Sequence, residues 1–551
     1  MNRELPLRVV ALAPPDHAEG ELGRGVLTGA DPASLFNACR YAASLAVKGV
    51  SAWGESNWTG DRKSRRRSFI LLDSLKEDVA AFEELLHEQQ PNLLIIGSMT
   101  VCFPGAIACA ALAKQMFGDR ICIVLGGRHP SETVYASPEG EIVHHPGSPL
   151  ELMRNGTIGR VFDIVVAGQG EYLIAQLGEI VADLEKRGVP AVQARMDIDK
   201  LGACPGDWIV GRLDGQEIVT ARGAGGDVDY NNLLPPCELF GISEAFDVFD
   251  GRPTAHVFSD TGRGCIFDCD FCSERYSVVG RPVQLSDSPE RLFRQLEAAV
   301  RVVREDWPDK PGASAFVEDS TLLVGSKPAL RKLAKLILDS GLDIQFGAQL
   351  TVDQILLRQE ELKLLRKAGL SYMFVGVETM DSEVSLTLSK NAKKASDERW
   401  IDRSFQALLS LHQMGIKSCV ALVFGLGEPH ESRMDVLSKV KAWRSTYGFP
   451  ARLSMNWGVQ HPLQTLRNDG SDYTYHEWSV PPGPFLEQFK NFGESTYRYP
   501  MHGVERPVLS ELVEVSEFAR EIVELKPGDA PAPPRSLARE TIWVEAAQST
   551  C

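Results

Sequence analysis

Short, continuous runs of apolar residues alternate with helical stretches over the first third of the chain. Four such runs, rich in Val, Ile and Leu, occupy 7–13, 93–97, 121–125 and 162–167, and a further short strand is predicted over 68–72. Continuous apolar runs of this length are typical of strands that are buried on both faces, as in a parallel sheet between helices. The pattern therefore predicts an α/β domain with a Rossmann-like sheet, and we place it over residues 1–190.

A second alternating series starts near residue 252 and runs to about 466. Its predicted strands are 257–260, 314–317, 344–350, 372–377, 418–424 and 453–457. Its predicted helices are 289–305, 328–340, 360–368, 401–414 and 434–446. About six successive βα units indicate a (β/α)6 partial barrel, whose functional site would lie at the C-terminal ends of the strands.

Periodicity fades in two other parts of the chain. Residues 191–251 are rich in Gly and Pro and are interpreted as a connecting segment. Residues 467–551 have no clear period and are interpreted as a mixed C-terminal domain. The predicted fold class is thus α/β, with two parallel sheets in succession.

Composition and charge exclude several classes of function. The formal net charge of the 551 residues is −16, and the densest basic run is Arg65, Arg66 and Arg67. Such a charge opposes a nucleic acid partner. No stretch approaches the roughly 20 apolar residues that cross a bilayer. The 11 cysteines are odd in number and irregularly spaced, which is typical of a reducing compartment. We therefore expect a cytoplasmic protein without nucleic acid or membrane partners.

Glycines follow the predicted strands of the first domain. The residues at these strand ends that we select as ligand contacts are Ser98, Met99, Gly126, Gly127, Gly168, Gly170 and Glu171. Doubly wound sheets bind ligands at this edge, and a backbone without side chains can approach a large flat molecule. Ordinary turn glycines are the alternative interpretation.

Three cysteines stand close together after the first strand of the second series. Cys265, Cys269 and Cys272 have the spacing Cys-x3-Cys-x2-Cys, with Phe271 just before the last. A structural zinc site or an electron-carrying cluster would need a fourth ligand, and none follows at the required spacing. Three thiolates leave one iron of a [4Fe–4S] cluster open for chemistry; a chance grouping of loop cysteines is the alternative.

This cysteine motif resembles that of the radical SAM superfamily, and the resemblance continues along the barrel. It implies that S-adenosylmethionine (SAM) contacts residues at successive strand ends, and an ordinary strand-end acid is the alternative for Glu378. The residues assigned in this way are Glu318, Ser320, Gln349, Glu378 and Gly425.

A parallel α/β domain before such a barrel is similar to the cobalamin-binding radical SAM enzymes. The lower axial histidine that other cobalamin proteins supply from an Asp-x-His-x-x-Gly loop is absent here, so we interpret His129 as a loop residue and expect base-off binding. Arg67 is a candidate for the face of cobalt, where a guanidinium would discourage water; a solvated basic turn is the alternative.

Cobalamin beside SAM implies methyl transfer. The sequence around Glu274, two residues after Cys272, resembles the tryptophan 2-C-methyltransferases of thiopeptide antibiotic biosynthesis. If the Glu274 carboxylate binds the fourth iron, SAM cannot chelate there, and the indole C2 would be methylated by way of methylcobalamin along a polar route. Glu274 as a solvated acid is the alternative.

The resemblance also implies an external one-electron reductant and a small-molecule substrate, for which tryptophan is our expectation. Two other functions stay open. One is a radical methylase of an sp3 carbon or a phosphinate, and the other is a non-catalytic corrinoid or cluster sensor. SAM turnover would exclude the sensor.

Overall fold

The computed structural model describes most of the chain. The described residues are 5–15, 30–72, 75–100, 102–137, 139–226, 228–242, 245–261, 265–267, 269, 271–272, 274, 285–381, 384, 400–458, 501, 503–505 and 507–525. Among them, no helix combines the length and the apolar character that a membrane crossing requires.

A seven-stranded sheet forms the first half of the structure, in the order β2-β1-β3-β4-β7-β8-β9. Its strands are β1 Val9–Ala13, β2 Phe69–Leu71, β3 Leu93–Gly97, β4 Cys122–Gly126, β7 Ile164–Gly168, β8 Trp208–Asp214 and β9 Glu217–Arg222. A separate hairpin pairs β5 Val134–Ala136 with β6 Ile142–His144. The first five strands of the large sheet are parallel, while β8 and β9 are antiparallel additions.

Helices cover both faces of this sheet. They are α1 Ala30–Ala38, α2 Arg40–Lys48, α3 Arg62–Arg66, α4 Leu75–Gln89, α5 Phe103–Phe117, α6 Arg128–Thr133, α7 Pro149–Arg154, α8 Glu171–Lys186 and α9 Pro236–Phe240. Successive side chains of a strand point to opposite faces. Val9 accordingly packs in a core with Leu173 of α8, whereas Val10 packs in another core with Phe103 of α5. Burial on both faces explains why the strands read as continuous apolar runs.

Six parallel strands form the second sheet in strict sequence order, from β10 to β15. They are β10 Thr254–Val257, β11 Ala313–Val317, β12 Ile344–Thr351, β13 Leu370–Glu378, β14 Lys417–Phe424 and β15 Arg452–Trp457. The helices around them are α10 Ser288–Asp306, α11 Lys327–Ser340, α12 Val352–Leu357, α13 Gln359–Lys367, α14 Trp400–Gln413 and α15 His430–Tyr447. A Rossmann-like sheet followed by a six-stranded partial barrel confirms the predicted fold class.

One further helix, α16 Leu509–Glu524, packs on α15. Its apolar residues Leu512, Val515 and Ile522 enter the barrel core, and Glu511 accepts a 3.1 Å hydrogen bond from Arg433. The C-terminal region therefore contributes to the barrel's outer layer. Most of the rest of that region, including residues 527–534 and 473–478, lies outside the described residues.

The structure differs from the sequence-based expectation in two places. The strand predicted over 257–260 lies three residues earlier, at β10, because it pairs with β11 from Thr254 onwards. The segment 191–251, expected to be a connection, carries β8 and β9 of the first sheet. The two strands are joined through a tight turn at Gly215, where φ is +58°, a conformation that glycine adopts without strain.

A buried ion pair joins the two halves of the molecule. Arg40 of α2 donates from Nη1 to both carboxylate oxygens of Asp260, at 2.9 Å each, and both side chains are almost fully buried. Asp260 also accepts from Gln295 at 3.1 Å, and its backbone oxygen accepts from Arg291 at 2.8 Å. This pair holds the first sheet against the chain segment that leads into the cysteine loop.

Candidate active site

A large cleft lies between the carboxyl edges of the two sheets. It encloses about 1690 Å³, counting its mouth to solvent. The ends of β3, β4 and β7 form one wall, and the ends of β10 and β11 with the cysteine loop form the other. Parallel α/β sheets and barrels both bind ligands at these strand ends. The two edges thus face one another across one cavity.

The glycines on the first wall differ in whether the protein itself requires a glycine. Gly127 and Gly168 have φ values of +100° and +91°, so their backbone conformation itself favours glycine. A Cβ added at Gly126 or Gly170 would meet no protein atom closer than 3.7 Å. Nothing in the protein requires glycine at these two positions. Their bare backbone leaves room in the cleft, and this cradle fits a large flat cofactor.

Only some of the other residues predicted on this wall line the cleft. Ser98 and Met99 line the cleft beside the glycines. Glu171 does not line it, because its carboxylate is buried at the start of α8, where it accepts a 3.3 Å hydrogen bond from the Tyr230 hydroxyl. Tyr230, which sequence reasoning missed, faces the cleft in its place.

The cysteine loop enters the opposite wall. Cys265 lines the cleft, Cys269 is buried, and the Cys272 backbone N–H donates to the Cys269 oxygen at 3.0 Å. Desolvation, followed by the nearby Glu274 and the other two thiols, raises the pKa of Cys272 far above its ordinary value. A thiol in this environment becomes a thiolate only if a positive charge lies beside it. An iron cluster supplies that positive charge, so the three residues fit one.

No three His, Cys, Asp or Glu side chains of the described residues converge on a single metal ion. In a cubane each thiolate binds a different iron, so the three cysteines need not converge on one point. Their proximity in one loop at the cleft is therefore the relevant observation.

Glu274 connects the two walls of the cleft. Its carboxylate forms an ion pair with Arg128, which follows the glycines of β4 in the first domain. Its second oxygen accepts a 3.2 Å hydrogen bond from Ser320 after β11. Sequence reasoning did not select Arg128, although it directly follows the Gly126-Gly127 pair.

Acidic residues line the barrel side of the cleft. Glu318 accepts a hydrogen bond from the His256 ring at 2.5 Å, and Ser320 lies next to it in the wall. Asp319, between them, accepts from the Ser259 backbone N–H at 3.0 Å. Burial raises the pKa of Asp319 to about 6. This wall is suited to a ligand that carries positive charge.

Three predicted contacts lie at other strand ends of the barrel. Gln349 reaches the cleft wall through a 3.4 Å hydrogen bond to the Asp319 backbone oxygen. Glu378 ends β13 with φ of +62°, an uncommon value for a residue with a side chain and one that concentrates at functional sites. Gly425 follows β14 and donates its N–H to Glu428 at 2.7 Å.

Neither of the two basic residues that we considered for cobalt lines the cleft, and His129, which we interpreted as a loop residue, lies in a helix. Arg67 is exposed after α3, so the guanidinium that faces the cleft belongs to Arg128 and not to Arg67. His129 is fully buried in α6, with Nδ1 at 3.2 Å from Thr100 and Nε2 at 3.1 Å from the Gly147 oxygen. No histidine lines the cleft within the described part of the chain. Phe271 is partly buried in the cysteine loop and likewise does not line the cleft.

Comparison with known proteins identifies the barrel. Residues 260–440, which include the cysteine loop and four of the six strand ends, match the Radical SAM superfamily. This part of the chain is a radical SAM domain. The resemblance inferred from the cysteines is confirmed, and the radical SAM domain implies a [4Fe–4S] cluster and SAM in the cleft.

Two relatives match a longer part of the chain than the radical SAM domain alone. The protein is 30% identical over 358 residues to the hopanoid C-3 methylase of Methylococcus capsulatus, covering 64% of this chain and 57% of that one. It is 22% identical over 374 residues to an uncharacterized methyltransferase of Pyrococcus horikoshii, covering 67% and 68%. The match thus spans little more than half the length of the hopanoid methylase.

Among solved structures, the radical SAM methyltransferase TsrM from Kitasatospora setae, with cobalamin and a [4Fe–4S] cluster bound, aligns with this chain. The alignment covers 83% of this chain and 73% of that one, at 15% identity and a TM-score of 0.49. The cobalamin-dependent SAM radical enzyme OxsB, with aqua-cobalamin bound, aligns over 94% and 62%, at 16% identity and a TM-score of 0.46.

Proposed function

We propose that the protein is a C-methyltransferase that uses SAM, a [4Fe–4S] cluster and cobalamin. One observation carries the proposal: the glycine cradle of the first sheet and the cysteine loop of the second face each other in a single cleft. Cobalamin supplies a cobalt centre that can accept a methyl group and pass it on. The name of the hopanoid C-3 methylase relative agrees with methyl transfer to carbon.

The residues on the two walls would bind different cofactors. Cys265, Cys269 and Cys272 hold the cluster, and the acidic wall of Glu318 and its neighbours receives the positively charged SAM. Gly126 and Gly170 would leave a flat surface for the corrin ring beside Ser98 and Met99. No described histidine lines the cleft, so none of the described residues there would supply an imidazole nitrogen to a bound cobalamin.

Replacing Gly126 with Leu should weaken cobalamin binding while the fold stays intact. A Cβ added there meets only ordinary contacts, with the nearest protein atom at 3.8 Å, and the residue lines the cleft. Binding is measured by absorbance titration of the cluster-free protein with hydroxocobalamin, and folding by thermal unfolding.

Gly159→Leu is the matched control, since Gly159 has a similarly open Cβ position and does not line the cleft. The control should bind cobalamin like the unmutated protein. Equal affinity in Gly126→Leu and Gly159→Leu would place the corrin elsewhere.

The acceptor that we propose first is C2 of the indole of tryptophan, methylated by a polar route. Glu274 supports this choice, because its carboxylate is held at the cleft by Arg128 and Ser320, two positions after a cluster cysteine. A carboxylate at this place in the cysteine loop would be able to serve as a ligand of the fourth iron. SAM could then not chelate that iron, and its reductive cleavage to an adenosyl radical would be blocked. Indole C2 is electron-rich enough to attack a methyl group without such a radical.

A second acceptor, an sp3 carbon, is favoured by the name of the hopanoid C-3 methylase relative. Methylation of an unactivated carbon requires removal of a hydrogen atom, so each turnover would consume an additional SAM as 5′-deoxyadenosine. The two candidates therefore differ in a product that can be counted.

The decisive experiment incubates the reconstituted enzyme with SAM, cobalamin, an external one-electron reductant and tryptophan. The polar route predicts methyltryptophan and S-adenosylhomocysteine in equal amounts, with almost no 5′-deoxyadenosine, by mass spectrometry. Formation of one 5′-deoxyadenosine per methylation would rule out the polar route. SAM cleavage without methylation of tryptophan would favour the sp3 acceptor.

Glu274→Gln should release 5′-deoxyadenosine that the unmutated enzyme does not form. A neutral amide is a poor ligand for iron, so the fourth site becomes available to SAM. Methylation should fall by roughly tenfold or more, because the ion pair between Arg128 and Glu274, which connects the two walls, is lost. Glu305→Gln is the control, since Glu305 also pairs with an arginine but on the surface. Unchanged products in Glu274→Gln would assign the residue a purely structural part.

A further inference from the structure

The inner face of β15 carries polar groups that the proposed cofactor sites do not use. Along this strand, Met455 and Trp457 point outward into the apolar core under α15 and α16. Trp457 packs there on Phe424, with ring centroids 5.7 Å apart. Because side chains alternate across a strand, Ser454 and Asn456 face the interior of the barrel.

Two atoms on this inner face lack hydrogen-bond partners. The Ser454 hydroxyl and the Asn456 side-chain oxygen are shielded from solvent, and neither has a partner in the structure. Ser454 is only 5% exposed. Buried polar atoms are nearly always paired, because leaving one unpaired costs free energy. A pair of such atoms on one face indicates a missing hydrogen-bonding ligand.

The neighbouring strands present only small or apolar residues beside these two. Ala421 and Val423 of β14 pair with Ser454 and Asn456, and Gly376 of β13 pairs with Ala421. These neighbours have no side chain or a short apolar one, so their side chains cannot pair with the polar atoms. Asn456 is the residue before the last of β15 and lies toward the edge of the barrel that carries the cysteine loop, whereas Ser454 lies in the middle of the strand.

We propose that Ser454 and Asn456 bind an N–H group of the methyl acceptor. This inference rests on the proposed function and specifies its substrate class: an aromatic heterocycle whose ring N–H adjoins the methylated carbon. In indole, N1 is bonded directly to C2. A hydrogen bond from N1–H to Asn456 therefore fixes the position of C2 itself. The Ser454 hydroxyl, one pleat along the strand, accepts a second donor of the same substrate.

This subsite is a specificity device as well as an anchor. A site built to hydrogen-bond a substrate N–H rejects an analogue that lacks it, because the protein group is then left buried and unpaired. 1-Methyltryptophan is such an analogue, since it keeps the indole ring and loses only the donor. A hydrophobic pocket would tolerate the extra methyl group far better.

The test compares tryptophan and 1-methyltryptophan as acceptors for the unmutated enzyme and for Asn456→Leu. The unmutated enzyme should prefer tryptophan in kcat/KM by roughly 10⁴-fold or more. Asn456→Leu should lose most of that preference through a higher KM for tryptophan, while its affinity for SAM stays unchanged. The cluster-free variant should also unfold at a higher temperature, because an unpaired buried polar group has been replaced by an apolar one.

Ser371→Ala is the matched control. Its hydroxyl is another buried, unpartnered atom, but it lies at the opposite end of the barrel, near the start of β13. This variant should gain stability without any change in acceptor preference.

The possible outcomes distinguish a failure of the Ser454 and Asn456 subsite from a failure of the proposed methyltransferase function. If the enzyme methylates tryptophan and 1-methyltryptophan equally well, the function holds and the subsite is wrong. If Asn456→Leu loses affinity for SAM, the polar atoms serve SAM and the proposal is overturned. If neither indole is bound or methylated, the tryptophan acceptor fails, and the proposed subsite fails with it.

Discussion

Replacing Cys265, Cys269 and Cys272 together with Ala should remove all cluster iron and all methylation. Three thiolates are the cluster's protein ligands in a radical SAM domain, and a carboxylate from Glu274 alone cannot hold four irons. Iron and sulfide are assayed after anaerobic reconstitution, and the cluster is followed by its absorbance near 400 nm, a wavelength typical of such clusters. The loss should be complete rather than graded, because the cubane forms as a unit.

Cys204→Ala is the control for this experiment. Cys204 is also a half-buried free thiol, but it lies outside the cysteine loop and away from the cleft. It should keep full iron and full activity. A triple variant that retains four irons would refute the cluster assignment, and one that retains methylation without iron would show that the cluster is not needed for turnover.

Replacing Arg40 with Met should produce the largest loss of stability. The change leaves the Asp260 carboxylate buried without its main partner, which typically costs about 3–5 kcal/mol. Burial raises the pKa of Asp260, and Arg40 opposes that rise. Without the guanidinium, burial favours the protonated form of the Asp260 carboxyl. The shift is measured as the urea midpoint of the cluster-free protein.

The double variant Arg40→Met, Asp260→Asn should recover much of this loss, because the uncompensated charge is gone. Lys335→Met is the control: Lys335 pairs with Asp339 on the surface, and breaking such a pair costs about 0.5 kcal/mol or less. If Arg40→Met unfolds like that control, the buried pair does not hold the two halves together. Cluster content after reconstitution should follow the same order, because Asp260 begins the segment that leads into the cysteine loop.

The sequence by itself predicted the parallel strands of the two sheets and the three-cysteine loop. A strand covered by helices on both faces must be apolar at every position, so the pattern of β3 or β4 is visible without any knowledge of its neighbours. The cysteine spacing is equally local, because all three thiols belong to one loop. Strand boundaries were less accurate, as the displacement of β10 shows, since pairing with β11 decides where that strand begins.

Only the tertiary structure decided which distant residues meet. Arg128 and Glu274 are 146 positions apart, and Arg40 and Asp260 are 220 positions apart. Neither pair leaves a local pattern, because an ion pair requires only that two surfaces come together when the sheets pack. For the same reason the exposure of Arg67 and the unpartnered oxygen of Asn456 could not be read from their neighbours in sequence. Local periodicity determines which elements form, whereas the charges and hydrogen bonds of the cleft depend on how those elements are brought together.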